Sequence, residues 1–253
     1  MGLVIATRGL DLAVGAVMAI CGAIAASLAD SHSLPIVLAA ALGAGLVCGL
    51  WNGFLVAVLG MQPIVATLIL MVAGRGIAQL ITEGRILTFN DDSFSAIGSG
   101  SFAGIPLPVI IWLAAALVIG LLVRKSALGF LIEATGINRR ASTLSGVRTP
   151  VLLMAVYMLS GLCAAIAGII VAADIKGADA NNAGLWLELD AILAVVVGGN
   201  SLLGGRFSIV GSLIGAMIIQ AVNTGILLSG FPPEFNLIIK AVIVLVILVI
   251  QSP

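Results

Sequence analysis

Three polar side chains that lie inside apolar runs are the first candidates for chemistry in this sequence: Asn52, Asn223 and Thr224. Amide and hydroxyl groups can hydrogen-bond a neutral polyol, and a polar group inside a membrane span is costly enough to be a candidate site. The same groups can bond one helix to another, so both interpretations remain open. If these three residues form a site, they predict a translocation path for a small, uncharged solute rich in hydroxyl groups.

Catalytic and metal-binding patterns are absent from the sequence. It contains no G-x-x-x-x-G-K-[ST] phosphate-binding loop and no H-E-x-x-H zinc motif. The single histidine, His32, lies beside Asp30 in a short loop and completes no Ser-His-Asp set. Cys21, Cys48 and Cys163 lie inside apolar runs without C-x-x-C spacing, which is typical of small core residues. We therefore predict a protein that is not an enzyme and holds neither a metal nor a cofactor.

The composition is that of an integral membrane protein. Hydrophobic residues make up 61% of the 253 residues and charged residues only 9%, whereas soluble domains are about a quarter charged. The formal net charge is zero, so nothing in the charge balance indicates a nucleic-acid partner.

Polar segments divide the chain into eight apolar runs, most of them long enough to span a bilayer. The runs are approximately 12–29, 34–59, 63–82, 107–123, 150–172, 190–203, 207–229 and 233–250. Run 190–203 would cover roughly 21 Å of a hydrocarbon core about 30 Å thick, so it is either a half-helix or extended upstream through Leu185 to Leu187. The pattern predicts an all-α, polytopic transmembrane helical bundle of about eight spans, with residues 1–253 forming one domain.

The connections between runs differ in charge. Those after residues 59, 123 and 203 carry six basic residues, namely Arg124, Lys125, Arg139, Arg140, Arg148 and Arg206. Those on the opposite side carry two, Arg85 and Lys176. The positive-inside rule places segment 124–149 in the cytoplasm and loops 83–106 and 173–189 in the periplasm.

Loop 173–189 offers a plausible landing surface for an external partner. Its acids, amides and one indole are the candidate docking residues Asp179, Asn181, Asn182 and Trp186. An ordinary water-facing loop with an interfacial tryptophan would have the same composition, and this alternative remains open.

Segment 124–149 is basic and amphiphilic, and its pattern predicts two short helices. Residues 127–135 can form the first, with a left-handed stop at Gly136. Asn138 can cap a second helix over 139–145, which Gly146 would end. Such a helix–turn–helix could be a knob that presses on another protein, or a solvated loop whose charges only set topology.

The amino-acid sequences of several stretches resemble those of a known family. E-A-T-G-I-N-R-R-A-S-T-L-S-G-V (133–147) is similar to the coupling loop of permease subunits in ABC sugar importers of the ribose and galactose type, E-A-x-G-x-N-x-x-A-A-x-x-S-G-I, and departs from it at Ser142. R-G-L-D-L-A-V-G (8–15) resembles that family's G-G-I-D-L-S-V-G and departs at Arg8 and Ala13. The resemblance covers essentially the whole chain. Stretches 177–190 and 223–234 are most similar to members that import galactofuranose.

The resemblance implies a permease in the bacterial inner membrane, working with ATP-binding cassette ATPase subunits, a periplasmic sugar-binding protein, a second permease subunit and surrounding lipid. It implies that the coupling contact involves Glu133, Gly136, Asn138, Arg139 and Arg140, where Gly136 permits the turn, Asn138 caps and the arginines pair with acids on the ATPase. It also implies an N-terminal truncation, from about ten spans in the family to about eight here.

Two rival functions come from other classes. An ATP-independent secondary carrier or channel for a small polar solute would use discontinuous helices. The short run 190–203 is the feature of the sequence that points to such a helix. A purely structural membrane subunit would show no substrate-dependent behaviour.

Overall fold

The chain folds as a bundle of α-helices in the computed structural model, which describes residues 1–230 together with 238, 239, 241, 242 and 245. The helices described in full are α1 (Gly2–Ala6), α2 (Val14–Ala29), α3 (Leu34–Ala57), α4 (Pro63–Ile81), α5 (Asp92–Ser99), α6 (Leu107–Lys125), α7 (Leu128–Ile137), α8 (Arg139–Leu144), α9 (Thr149–Asp174), α10 (Leu187–Val197) and α11 (Ile209–Leu228). Four two-residue strands complete the secondary structure of this part of the chain: β1 (Leu87–Thr88), β2 (Ser101–Phe102), β3 (Ile105–Pro106) and β4 (Gly177–Ala178).

Five of the described helices are long and apolar enough to cross a membrane: α3, α4, α6, α9 and α11. The 16 residues of α2 would cover about 24 Å. The prediction of an all-α, polytopic membrane bundle is confirmed. Most of the predicted run 233–250 lies outside the described residues.

Helix α2 lies at the centre of the bundle and packs against α3, α4 and α9. Its residues are mostly alanine, valine and glycine, and nearly all are buried. By contrast, α4, α6 and α11 expose large apolar side chains, which suits helices that face lipid or another membrane subunit.

Glycines bring α3 and α9 into close contact. Gly45, Gly49 and Gly53, one turn apart on α3, face α9. A Cβ atom on Gly49 would lie 2.5 Å from the Tyr157 carbonyl oxygen, and one on Gly161 would lie 2.2 Å from the Gly45 carbonyl oxygen. The small residues therefore pack two helices of the same chain backbone to backbone.

The short run predicted at 190–203 is an 11-residue helix followed by a folded linker. Helix α10 begins upstream of the predicted start, at Leu187, and ends at Val197. In the linker, the Asn200 amide donates to the Val195 carbonyl (3.0 Å) and the Ser212 hydroxyl (3.1 Å), and its oxygen accepts from the Ser208 N–H. Asn200 thus holds the hairpin between α10 and α11.

The two loops predicted to be periplasmic form a single layer. Strands β1 and β4 pair antiparallel, with Leu87 opposite Ala178, and so join loop 83–106 to loop 173–189. The Phe89 and Phe94 rings pack edge to face beneath, with their centroids 5.0 Å apart, and both side chains are buried.

Candidate coupling and docking sites

The segment predicted to couple to an ATPase is a two-helix knob formed by α7 and α8. The Asn138 side chain accepts a hydrogen bond from the Ala141 N–H at 3.0 Å and so caps α8, as its position in the sequence predicts. Gly146 follows α8 in the left-handed conformation, with φ +89°, which also agrees with the prediction.

The predicted role of Gly136 as a left-handed stop is wrong. Gly136 lies inside α7, which continues to Ile137, and it is not among the glycines with positive φ. It is buried because other backbone segments approach it closely: an added Cβ would lie 1.8 Å from the Ala6 carbonyl oxygen and 2.8 Å from the Gly205 nitrogen. Glycine is therefore needed here for close packing, and the turn is supplied by Asn138.

The five predicted coupling residues divide between two faces of the knob. Asn138, Arg139 and Arg140 are exposed on the outside. Two large apolar side chains accompany them, Ile137 at 61% exposure and Leu144 at 83%. The other two predicted residues face the bundle: Gly136 is buried, and half-buried Glu133 accepts a hydrogen bond from the Phe207 N–H at 3.4 Å.

The inner face of the knob meets the connection between α1 and α2, residues 7–13. The Ala6 carbonyl accepts from the Gly205 N–H at 2.9 Å, and the Arg8 guanidinium Nη2 donates to the Ile137 carbonyl at 3.0 Å. We call Ala6, Arg8, Gly136, Ile137 and Gly205 the Arg8 junction. In the sequence, Arg8 stands out only as a departure from the family pattern, because its partner lies 129 residues away.

A buried polar cluster follows three residues after Arg8. The Asp11 carboxylate is 4% exposed and accepts from the Ser160 hydroxyl (2.7 Å), the Ala13 N–H (3.1 Å) and, at the long distance of 3.5 Å, the Asn52 amide. The Tyr157 hydroxyl donates to the neighbouring Leu10 carbonyl at 3.4 Å. We call Asp11, Asn52 and Ser160 the Asp11 cluster. A lone acid within an apolar stretch was the available signal for it.

The three candidate path residues do not gather in one place. Asn52 belongs to the Asp11 cluster, and its amide oxygen has no hydrogen-bond partner among the described residues. Asn223 and Thr224 lie on α11, which packs mainly against α10; Asn223 is half-buried and Thr224 is exposed. Within the described part of the chain, no hydrogen bond links either residue to Asn52.

All four candidate docking residues lie together in loop 175–186. Asp179 organises it, since its carboxylate accepts from the Asn182 side chain (2.7 Å) and from the backbone N–H groups of Asn181 (3.0 Å) and Asn182 (3.3 Å). The hydrogen bond from the Asn182 side chain is the largest cause that lowers the pKa of Asp179 below its ordinary value, so the group is an anion at neutral pH. Trp186 is half-exposed at the start of α10, with φ +64°.

Helix α4 holds this loop in place. The Arg75 guanidinium donates to the carbonyls of Ala180 (3.0 Å) and Ala183 (2.6 Å), and the Gln79 amide donates to the Asn181 side chain (2.8 Å). An arginine inside a membrane span needs such partners, which explains its presence in α4. The loop is therefore a fixed surface on the bundle.

The sequence matches a family model over residues 1–248, the permease component of branched-chain amino acid transport systems. The chain belongs to this permease family. Over its full length it is 65% identical to the galactofuranose transporter permease protein of Escherichia coli K12, covering 74% of that relative. It is 43% identical to the fructose import permease protein of Bifidobacterium longum and 40% identical to the ribose import permease protein of Escherichia coli K12, again over the whole chain and over 72% and 80% of those relatives. No solved structure matches the chain.

These findings confirm the resemblance drawn from the sequence. The chain is a multi-pass protein of the bacterial inner membrane and the permease subunit of an ABC importer. Members of the family are transport components.

Proposed function

We propose that this permease moves a monosaccharide, galactofuranose, across the inner membrane and is driven by a separate ATPase. The observation that supports galactofuranose as the substrate is the 65% identity over the entire chain to a galactofuranose permease. The identities to the fructose and ribose permeases are 43% and 40%. A periplasmic sugar-binding protein supplies the sugar.

Reconstituted vesicles test the substrate. The permease is assembled with the ATPase and the periplasmic binding protein encoded beside it, and uptake of labelled galactofuranose is measured with ATP on the ATPase side. We expect uptake that an excess of unlabelled galactofuranose abolishes and that ribose and fructose leave unchanged. Equal uptake of ribose would overturn the assignment.

The outer face of the knob is the contact with the ATPase. Arg139 and Arg140 can pair with acids there, while Ile137 and Leu144 offer apolar side chains that water would otherwise surround. Charge reversal of both arginines, Arg139→Glu with Arg140→Glu, is expected to abolish capture of the ATPase by the detergent-extracted permease. Arg85→Glu, which reverses the charge of an arginine that is also exposed but lies in loop 83–106, is the control and should leave capture unchanged. Full capture and transport by the double variant would contradict the assignment.

Loop 175–186 is the contact with the binding protein, because it presents exposed Asn181, Asn182 and Trp186 on a fixed support. Aromatic residues at the centre of an interface often contribute most of the affinity. Trp186→Ala is therefore expected to weaken binding of the binding protein by at least about tenfold. Trp51→Ala, which removes a comparably exposed indole from α3, is the control. Equal affinities for the two variants would remove Trp186 from the interface.

A second permease subunit completes the pathway. Thr224 is an exposed polar group, next to half-buried Asn223, on a helix that also exposes large apolar side chains. Such a polar group suits a path between two subunits better than one within a single chain. Native mass spectrometry of the assembled importer should show two permease subunits. A complex with one permease subunit would contradict this arrangement.

A further inference from the structure

Arg8 adopts a backbone conformation that arginine rarely occupies. Its φ is +62°, in the left-handed region, where the Cβ of an L-residue is crowded. Such conformations persist when the surrounding structure holds them, and they concentrate at functional positions. Glycine would adopt this conformation without strain.

The Arg8 side chain binds the C-terminal end of α7, where the two helices of the knob meet. Its guanidinium donates to the carbonyl of Ile137, the last residue of α7, at 3.0 Å. Terminal helix carbonyls lack partners within their own helix, and a cation at a helix C-terminus is favoured by the helix dipole. The stem of Arg8 also lies against the α10–α11 linker, because a Cβ on Gly204 would lie 2.4 Å from the Arg8 Cγ.

The residues before and after Arg8 contact different parts of the bundle. Ala6 contacts the knob and the linker through Gly136 and Gly205. Three residues after Arg8, Asp11 accepts hydrogen bonds from Ser160 on α9 and from the Ala13 N–H at the start of α2. Residues 7–13 therefore connect the knob physically to the most buried helices of the bundle.

We propose that Arg8 is a positioning residue that makes α7 and the α1–α2 connection move as one body, so that displacement of the knob reaches the Asp11 cluster. The inference rests on the proposed coupling of the knob to an ATPase. Transmission of movement needs a contiguous set of packed elements, and the Arg8 junction supplies it.

Arg8→Gly separates this role from a merely structural one. The substitution removes the guanidinium and also relieves the left-handed strain, so thermal stability should be retained or raised. We expect the variant to bind the ATPase as the unsubstituted chain does, yet to import at least about twofold fewer sugar molecules per ATP hydrolysed. Arg8→Lys keeps a donor and should restore part of this ratio.

Glu83→Gly is the matched control. Glu83 also has a left-handed backbone, with φ +51°, and is exposed in loop 83–106, away from the knob. This substitution relieves similar strain and should leave the import ratio unchanged. An unchanged ratio in Arg8→Gly would overturn the proposal, whereas failure of the unsubstituted chain to bind the ATPase would overturn the proposed coupling instead.

A cross-link provides a second test that does not depend on Arg8→Gly. Arg8→Cys and Ile137→Cys are introduced together after Cys21, Cys48 and Cys163 have been replaced by alanine, and the new thiols are joined by a bifunctional reagent about as long as an arginine side chain. Both positions are exposed. If the two segments move together, the uncross-linked variant imports less sugar per ATP and cross-linking restores the ratio. Because Ile137 also belongs to the face proposed for the ATPase, capture of the ATPase by the cross-linked variant is measured in parallel. Loss of import with capture of the ATPase retained would show that the segments must slide past each other and would refute the proposal.

Discussion

The Asp11 side chain shows how a single buried polar group can depend on distant residues. Its shortest hydrogen bond comes from the Ser160 hydroxyl at 2.7 Å, and the side chain is 4% exposed. Removing one partner of a hydrogen bond to a buried polar group leaves that group without a compensating contact.

Ser160→Ala is therefore expected to lower the unfolding free energy by about 1–3 kcal/mol. Titration of the detergent-extracted chain with a denaturing detergent measures the change. The control is Ser27→Ala, because the exposed Ser27 hydroxyl bonds only the Ile24 carbonyl within its own helix, and its effect should stay within about 0.5 kcal/mol. Equal losses in the two variants would show that the Asp11 contact contributes nothing particular.

At this scale, local rules predicted some residues and missed others. Asn138 and Gly146 follow from capping preferences, which depend on neighbours within a few positions. The predicted role of Gly136 as a left-handed stop was wrong because a glycine needed for close approach looks the same in sequence as one needed for a left-handed turn. Arg8 and Ser160 could not be identified, since their partners lie 129 and 149 residues away.

The close approach of α3 and α9 can be tested by replacing a glycine at their contact. An alanine Cβ at Gly49 would lie 2.5 Å from the Tyr157 carbonyl, so the two helices would have to separate. Gly49→Ala is expected to cost about 1–3 kcal/mol of unfolding free energy. Gly43→Ala on the same helix meets nothing within 4 Å and should be neutral or stabilising by about 0.5–1 kcal/mol. If both variants behaved alike, the close approach would not be what requires glycine at position 49.

The two loops on the predicted periplasmic side should behave as one element. Leu87 lies opposite Ala178 in the β1–β4 pair, and residues directly opposite in antiparallel strands have Cα atoms about 4.5–5.5 Å apart, within the range of a disulfide. Leu87→Cys with Ala178→Cys should form a disulfide on oxidation and still bind the binding protein. Each single variant is the control. The pairing would be contradicted if oxidation caused no mobility shift, or if oxidation abolished binding.

Most helices were predictable from apolar length, because hydrophobic thickness limits each span. The bounds of α3, α4 and α9 agree with the apolar runs within two residues. Helix α10 was harder, since its start follows Trp186 in a left-handed conformation and its end is fixed by Asn200, neither of which changes the apolar pattern. The small β1–β4 pair joins loops about 90 residues apart and left no local signal.

At the scale of the whole molecule, the first turn of α2 lies next to both regions that are proposed to contact other subunits. Its start follows the Arg8 junction through residues 7–13. Loop 175–186 presses on the same helix near Gly15, where an added Cβ would lie 2.2 Å from the Gly184 carbonyl oxygen. One helix therefore contacts both the surface proposed for the binding protein and the connection to the knob.

We accordingly expect Gly15→Ala to weaken communication across the membrane. In reconstituted vesicles, sugar-loaded binding protein on one side should stimulate ATP hydrolysis on the other, and the variant should lose severalfold of that stimulation while keeping its basal hydrolysis. Gly76→Ala on α4 meets nothing within 4 Å and is the control. Undiminished stimulation in Gly15→Ala would exclude this route, and the ATP-independent carrier considered above predicts no stimulation at all.

Tyr157 has a further use that follows from its position. It is the chain's single tyrosine, it is completely buried, and it lies against Gly9, Gly49 and the Leu10 carbonyl, where α9 meets α3 and residues 7–13. Biosynthetic fluorotyrosine would therefore place one ¹⁹F nucleus at this meeting point without any substitution. Its spectrum would count the conformations of the bundle directly, with separate resonances for states that exchange slowly and one averaged resonance for states that exchange fast.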